Sequence, residues 1–291
     1  MIAISFTLSH TNTIEHMDIL RRFRKDIVLG IALFLLPFVL PHIGISNLSL
    51  LVTPTSGVFA IVTGFFIADA MSNYLRLQTL ISEENAALIS IAENAREIDP
   101  ANSVKVDKAI DDYMIAILNL TTLNHASHTE QEVDAIGSAI DSLRVEPEKK
   151  DFFDHILSMK DKIFACRQEV SLAAKKTLTP GHWIVLIVLG TLVGITVIGM
   201  RDGTILINLV TGVMIIGMQA ILILLREMDS NHLLERKLAY ESPRDVFHAV
   251  HQPPYYPSFS PLGARVPNTM GLYRLGRDTS NQSEQYDLIK I

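Results

Sequence analysis

TILINLVTGVMIIGMQAILILL, Thr204 to Leu225, holds no charged residue, and inside it only Asn208, Thr211 and Gln219 are polar. An α-helix rises ~1.5 Å per residue, so about 20 such residues cross a ~30 Å hydrocarbon core. Three further charge-free apolar runs have the same character: Ile27–Ile45, Leu48–Ile67 and Trp183–Met200. The four runs fall in two close pairs. Buried helices of globular proteins rarely extend so far without a charge, so the sequence reads as four transmembrane helices in two hairpins. An apolar content of 48% and a mean hydropathy of +0.29 agree, but the clustering decides the matter.

The first run needs a separate test. Arg21, Arg22, Arg24 and Lys25 followed by Ile27–Leu40 have the basic start and apolar middle of a secretory signal. The following Pro41-His42-Ile43-Gly44-Ile45-Ser46 lacks the small-x-small pattern that signal peptidase needs, and a second apolar run follows at once. The reading is an uncleaved hairpin. Met17 offers an alternative start to Met1. Basic residues resist translocation and stay in the cytoplasm. The turn His42–Asn47 has no Lys or Arg, the turn after the third run has only Arg201, read as paired with Asp202, and Arg226, Arg236, Lys237 and Arg244 follow the fourth. Both termini and the central region are therefore expected inside the cell, and both turns outside.

The single cysteine, Cys166, excludes an internal disulfide and a cysteine-based metal site, and reads as a buried structural thiol on a helix. A net charge of −6 without a basic stripe gives no footprint for nucleic acid. No phosphate-binding glycine loop, Gly-x-Ser-x-Gly elbow or His-Glu-x-x-His helix is present, so no enzyme activity, cofactor or metal is expected. His125, His128 and Glu130 fall in a polar turn and read as solvated. Glu83 and Glu84 diverge by about 100° on a helix and cannot face one site together. One is expected in solvent, the other bonded to a neighbouring helix.

Between the hairpins the pattern is helical throughout, and no strand-like alternation competes. Asn73–Ala95 continues the second run without Pro or Gly, with Leu75, Leu80, Ile81, Leu88, Ile89 and Ile91 near one face. Span two is thus expected to leave the membrane as one long helix, ended by Asp99-Pro100. A second helix starts near Asn102 or Ser103, either of which suits an N-cap, and carries Val106, Ile110, Tyr113, Met114, Ile117 and Leu118. Thr129-Glu130-Gln131-Glu132 has capping-box spacing for a third. Glu146-Pro147 opens a fourth, with Phe152, Phe153, Ile156, Ile163 and Phe164 on its buried side. Past Gln252 the chain is rich in Pro, Ser, Gly and Asn and reads as mostly disordered. The expected plan is all-α: an N-terminal segment 1–26, hairpin 27–70, cytoplasmic helical domain 71–180, hairpin 181–228 and tail 229–291.

Two patterns bear on function. Gly190 and Gly194 form a small-xxx-small pair on span three, which lets helix backbones approach closely in lipid, and Gly199, Gly212 and Gly217 extend such surfaces. On span two, Gly57, Ile61, Phe65 and Asp69 are spaced by four and drift slowly around one stripe. A stripe of bulky apolar residues ending in a carboxylate is what a symmetric pore requires, with an apolar ring that gates by dewetting and a charged ring that biases ions. Spacing alone favours the simpler alternative, in which the stripe packs on spans three and four.

The layout of two spans, a helical domain and two more spans resembles bestrophins and the bestrophin-like family of bacterial membrane proteins. Val62-Thr63-Gly64-Phe65-Phe66-Ile67 is similar to the segment that forms the bestrophin neck. By that resemblance Phe65 and Ile61 take two of the neck's apolar gating positions, and Gly57 falls at a third, where bestrophins place a bulky residue. Glu84-Asn85-Ala86-Ala87-Leu88 resembles the start of the family's soluble domain, and Pro254-Tyr255-Tyr256-Pro257 a short aromatic-proline segment of some members. Arg226-Glu227-Met228-Asp229 is similar to the exit from the last span, without the usual Asp-Pro-Phe. The resemblance implies an integral protein of a bacterial inner membrane, a homo-oligomer with five copies as one expected number, and inorganic ions as cargo. Two features depart from it. Asp229-Ser230-Asn231-His232 has too few carboxylates for a six- to eight-oxygen calcium cage, and Asp69 would repel anions.

Two functions stay open on the sequence. One is a homo-oligomeric channel lined by span two. The other is a non-conducting scaffold or sensor in the bilayer whose helical domain binds a cytoplasmic partner, in which case Ile61 and Phe65 are buried within one subunit.

Overall fold

The computed structural model describes residues 24–41, 48–120, 128–175, 178–230, 243–257, 271–276 and 286–290. The segment 1–23, the turn 42–47, His125, Arg236 and Lys237 lie outside the described residues. The described helices are α1 over 24–39, α2 Ser49–Ile98, α3 Ser103–Leu118, α4 Glu130–Asp141, α5 Lys150–Ala173, α6 Pro180–Gly199, α7 Ile205–Asp229 and α8 Arg244–Ala249. Strands β1 Tyr255–Tyr256, β2 Leu272–Gly276 and β3 Tyr286–Lys290 follow. α2, α6 and α7 are long and apolar enough to cross a membrane. At ~1.5 Å per residue the 50 residues of α2 extend roughly 75 Å, well over twice the thickness of a hydrocarbon core. By internal contacts the chain divides into two units, Met1–Ala70 with Leu178–Asp229, and Met71–Thr177 with Ser230–Ile291.

In the first unit, apolar side chains cover the outside because no water has to be met there. Phe59 of α2 packs with Val193 and Val197 of α6, flanked by Leu189 and Met218. Glycines set the closest approaches. A Cβ at Gly212 of α7 would lie 2.7 Å from the Phe34 ring and 2.9 Å from the Phe34 carbonyl oxygen of α1. The second contact is to backbone and cannot be relieved by a rotamer change. Gly212→Ala is therefore expected to force α1 and α7 apart and lower the unfolding temperature in detergent, whereas Gly194→Ala, with open space around it, leaves that temperature unchanged. Differential scanning fluorimetry separates the two.

Arg201, expected to pair with Asp202, has another task. Buried, it donates from Nε to the Ile198 carbonyl at 2.8 Å, and its Nη atoms donate to the carbonyls of Pro37, Leu40 and Pro41. A helix end leaves its last carbonyls without intrahelical donors, and a cation suits that negative end. Arg201 thus caps α1 as well as α6. Asp202 accepts from the Thr204 N–H at 2.9 Å and the Thr204 hydroxyl at 2.8 Å. At the other end of the unit the buried Asp229 accepts from the Leu178 N–H at 2.8 Å, which fixes the chain just before α6.

The second unit has a core of Leu88, Ile91 and Ala95 from α2, Val106, Ile110 and Tyr113 from α3, Ile136 and Ile140 from α4, and Ile156 and Ile163 from α5. Cys166 lies in a neighbouring cluster with Leu77, Leu80 and Val170, and burial pushes its thiol above the usual range. Leu75, Phe152 and Phe164, expected inside, are exposed. Phe152 stands at the start of α5, and Phe164 follows Ile163 by 100°, off the buried seam. α2 ends where expected, but Asp99 rather than Asn102 organises the turn. Its carboxylate accepts from the N–H groups of Ala101, Asn102 and Arg144 and from the Asn102 amide. These bonds favour the ionised form and hold Asp99 down to about 2.

The expected disorder past Gln252 gives way, among the described residues, to a three-stranded sheet of order β1-β2-β3. β1 runs parallel to β2, and β2 antiparallel to β3 with Arg274 opposite Leu288. Tyr255, Tyr256 and Tyr273 are buried, so three aromatic side chains supply the apolar area that the Pro-rich composition hides.

Candidate pore-lining face

The four-residue stripe of α2 lies on the open side of its helix. Ile61 is 62% exposed and Phe65 70%, and Gly57 and Asp69 are exposed beside them. The opposite side packs inward, with Phe59 6% and Thr63 3% exposed and Ala70 buried. Among the described residues nothing stands within 4 Å of a Cβ placed at Gly57 or Gly64. Contrary to the expectation from spacing alone, the stripe does not pack on α6 or α7 of its own chain.

The inward side explains why. Phe59 occupies the approach to α6, and Gly190 makes room for it: a Cβ there would meet the Phe59 ring at 3.4 Å. A Cβ at Gly194, the other half of the small-xxx-small pair, meets nothing within 4 Å among the described residues. Two turns further along, Phe66 lies against His182 with ring centres 4.9 Å apart. With 59, 63, 66 and 70 on the inward side, a 3.6-residue period turns 57, 61, 65 and 69 away from it. An outward apolar face in a membrane meets lipid or another helix. A carboxylate there is different, because ionisable groups in membrane helices face bundle interiors or water rather than acyl chains. Asp69 closes the stripe at the point where the apolar run ends.

The helical unit holds a buried polar group that the sequence pattern half discloses. Glu83 makes a solvent-exposed pair with Lys162 at 3.4 Å. Glu84 is buried and accepts a short hydrogen bond from the Tyr113 hydroxyl, as the divergence of adjacent helical positions requires. Arg167 of α5 donates to the Tyr113 hydroxyl at 2.9 Å and to Thr129 Oγ1 at 2.7 Å. Thr129 therefore makes no side-chain capping bond to α4, against the capping-box expectation. Burial dominates the Glu84 environment and pushes its carboxyl up to about 7, opposed by the Tyr113 bond and the Arg167 charge. A folded-state value above the unfolded one adds stability that is complete at pH 4 and is lost as pH rises toward 7. The stability of wild type relative to Glu84→Gln is expected to fall between about pH 4.5 and 7 and to flatten above. Denaturant unfolding at stepped pH measures it. Among the described residues no cluster of three or more His, Cys, Asp or Glu is placed to hold a metal ion.

Long apolar helices joined to a helical unit define an integral membrane protein. The model of the Bestrophin-like domain family matches residues 48–231, and the chain belongs to that bestrophin-like family. A crystal structure of a membrane protein shares the fold with a TM-score of 0.56 at 15% identity, over 79% of this chain and 99% of that one. No curated protein matches the chain.

Proposed function

We propose that the protein is a homo-oligomeric ion channel in which α2 of each subunit lines a central pore. Ile61 and Phe65 form its apolar constriction, and Asp69 sets charge preference at the inner mouth. The observation that carries this reading is the exposure of Ile61 and Phe65 within a single chain, on the same face as Asp69. A scaffold that buries them inside one subunit lacks that support. In this reading α1, α2, α6 and α7 are four spans in two hairpins, with both termini in the cytoplasm, as the basic flanks require. Cysteine at the exposed Asp202 should label from outside and at the exposed Lys105 only from inside. Labelling of Lys105→Cys from outside reverses the orientation.

A ring of carboxylates at a pore mouth concentrates cations and repels anions. Asp69→Asn should therefore shift the reversal potential under a salt gradient toward that of anions. An unchanged reversal potential removes Asp69 from the pore.

A further inference from the structure

Between α1 and α7 lies a cleft of about 370 Å³, apart from the exposed stripe of α2. Ile27, Gly30 and Ile31 form one wall, and Ile216, Ala220 and Ile223 the other. Polar groups gather at one end. Gln219 donates from Nε2 to the Asp26 carbonyl at 2.8 Å, and Gly30 leaves room for its amide. Its Oε1 is buried and accepts no hydrogen bond among the described residues. Beyond it, Arg226 pairs with Asp26 at 2.7 Å, and the exposed Arg24 and Lys25 immediately precede Asp26 in the chain. Glu227 lies 3.9 Å from Arg226.

We propose that this cleft binds an anionic glycerophospholipid, one acyl chain between the helices and the phosphate against Arg24, Lys25 and Arg226. An additional helix, at about 10 Å across with its side chains, is too wide for such a space. Acyl chains surround both walls in a bilayer, and their removal from contact with one another costs little. Basic sites between membrane helices recognise anionic headgroups, each cation near the surface contributing to the attraction. The buried Gln219 Oε1 has no donor among the described residues, and a water there can donate both to it and to a lipid ester carbonyl. The inference rests on α1 and α7 as membrane spans and not on conduction.

Native mass spectrometry of the full chain in detergent, titrated with dioleoyl phosphatidylglycerol or dioleoyl phosphatidylcholine, tests it. One phosphatidylglycerol per chain should be retained at concentrations where phosphatidylcholine is not. Ala220→Phe, which fills the cleft from an exposed position, should lower that retention at least tenfold. Arg24→Gln with Lys25→Gln changes only exposed side chains and keeps the test decisive if Ala220→Phe does not fold. It should make the two lipids equal. Equal retention of both lipids by the wild type, or an unchanged phosphatidylglycerol preference in the double variant, overturns the proposal. Loss of ion currents with lipid retention intact would overturn the channel reading alone.

Discussion

Asp111→Ala should lower the stability of the helical unit by about 3–5 kcal/mol and open strand β2 to proteolysis. Arg274 on β2 donates through both Nη atoms to the Asp111 carboxylate, each at 2.6 Å. Its Nε donates to the Pro253 carbonyl at 2.9 Å, and its guanidinium lies 5.1 Å over the Phe247 ring. The Arg274 side chain is fully buried. Removing the carboxylate takes from a buried cation the group that accepts from both its Nη atoms, which is where the cost arises. Replacing the pair together, Asp111→Leu with Arg274→Met, should recover most of the loss because no charge is then stranded. Thermal unfolding and limited proteolysis read both variants. Asp111→Ala that unfolds and resists protease as the wild type does would show the strands to be held by their tyrosines instead.

Phe65→Ala should raise the conductance of the reconstituted protein several-fold or more. A narrow apolar ring excludes ions because water leaves it, and an ion cannot shed its hydration to pass. Ala at this position removes most of the side chain from a site that is 70% exposed in the single chain, so little packing within the subunit is lost. The ring widens and wets while the subunit keeps its fold. Single-channel recording in planar bilayers measures the change. If wild type and Phe65→Ala both reconstitute well yet pass no ions under any salt gradient, the channel reading fails and the scaffold leads.

The features legible in the sequence are those written in short-range periodicity. The charge-free runs, the unbroken helix from Ser49 to Ile98, its stop at Asp99-Pro100 and the split roles of Glu83 and Glu84 all follow from spacing along one helix. What escaped depends on partners far along the chain. Arg274 meets Asp111 across 163 residues, and Arg201 meets Pro37 across 164. No local pattern shows that Arg201 caps another helix or that Thr129 answers Arg167 instead of its own helix. The tail misled for a different reason. Its many prolines lower the apolar content of any window, while the burial depends on a few tyrosines and one paired arginine. For the candidate site, spacing located the stripe, but only the position of Phe59 and Gly190 shows which way it turns.

The central claim is that α2 helices of several subunits converge at Phe65. Two cysteines form a disulfide only when their Cα atoms come within about 7 Å. Phe65→Cys protein in nanodiscs, oxidised and run on non-reducing gels, should give covalent dimers between subunits, and Ile184→Cys, equally apolar and exposed on α6, should stay monomeric. The native Cys166 is buried and does not contribute. Monomer at Phe65→Cys under conditions where Ile184→Cys cross-links would place α6, not α2, at the shared axis and contradict the account.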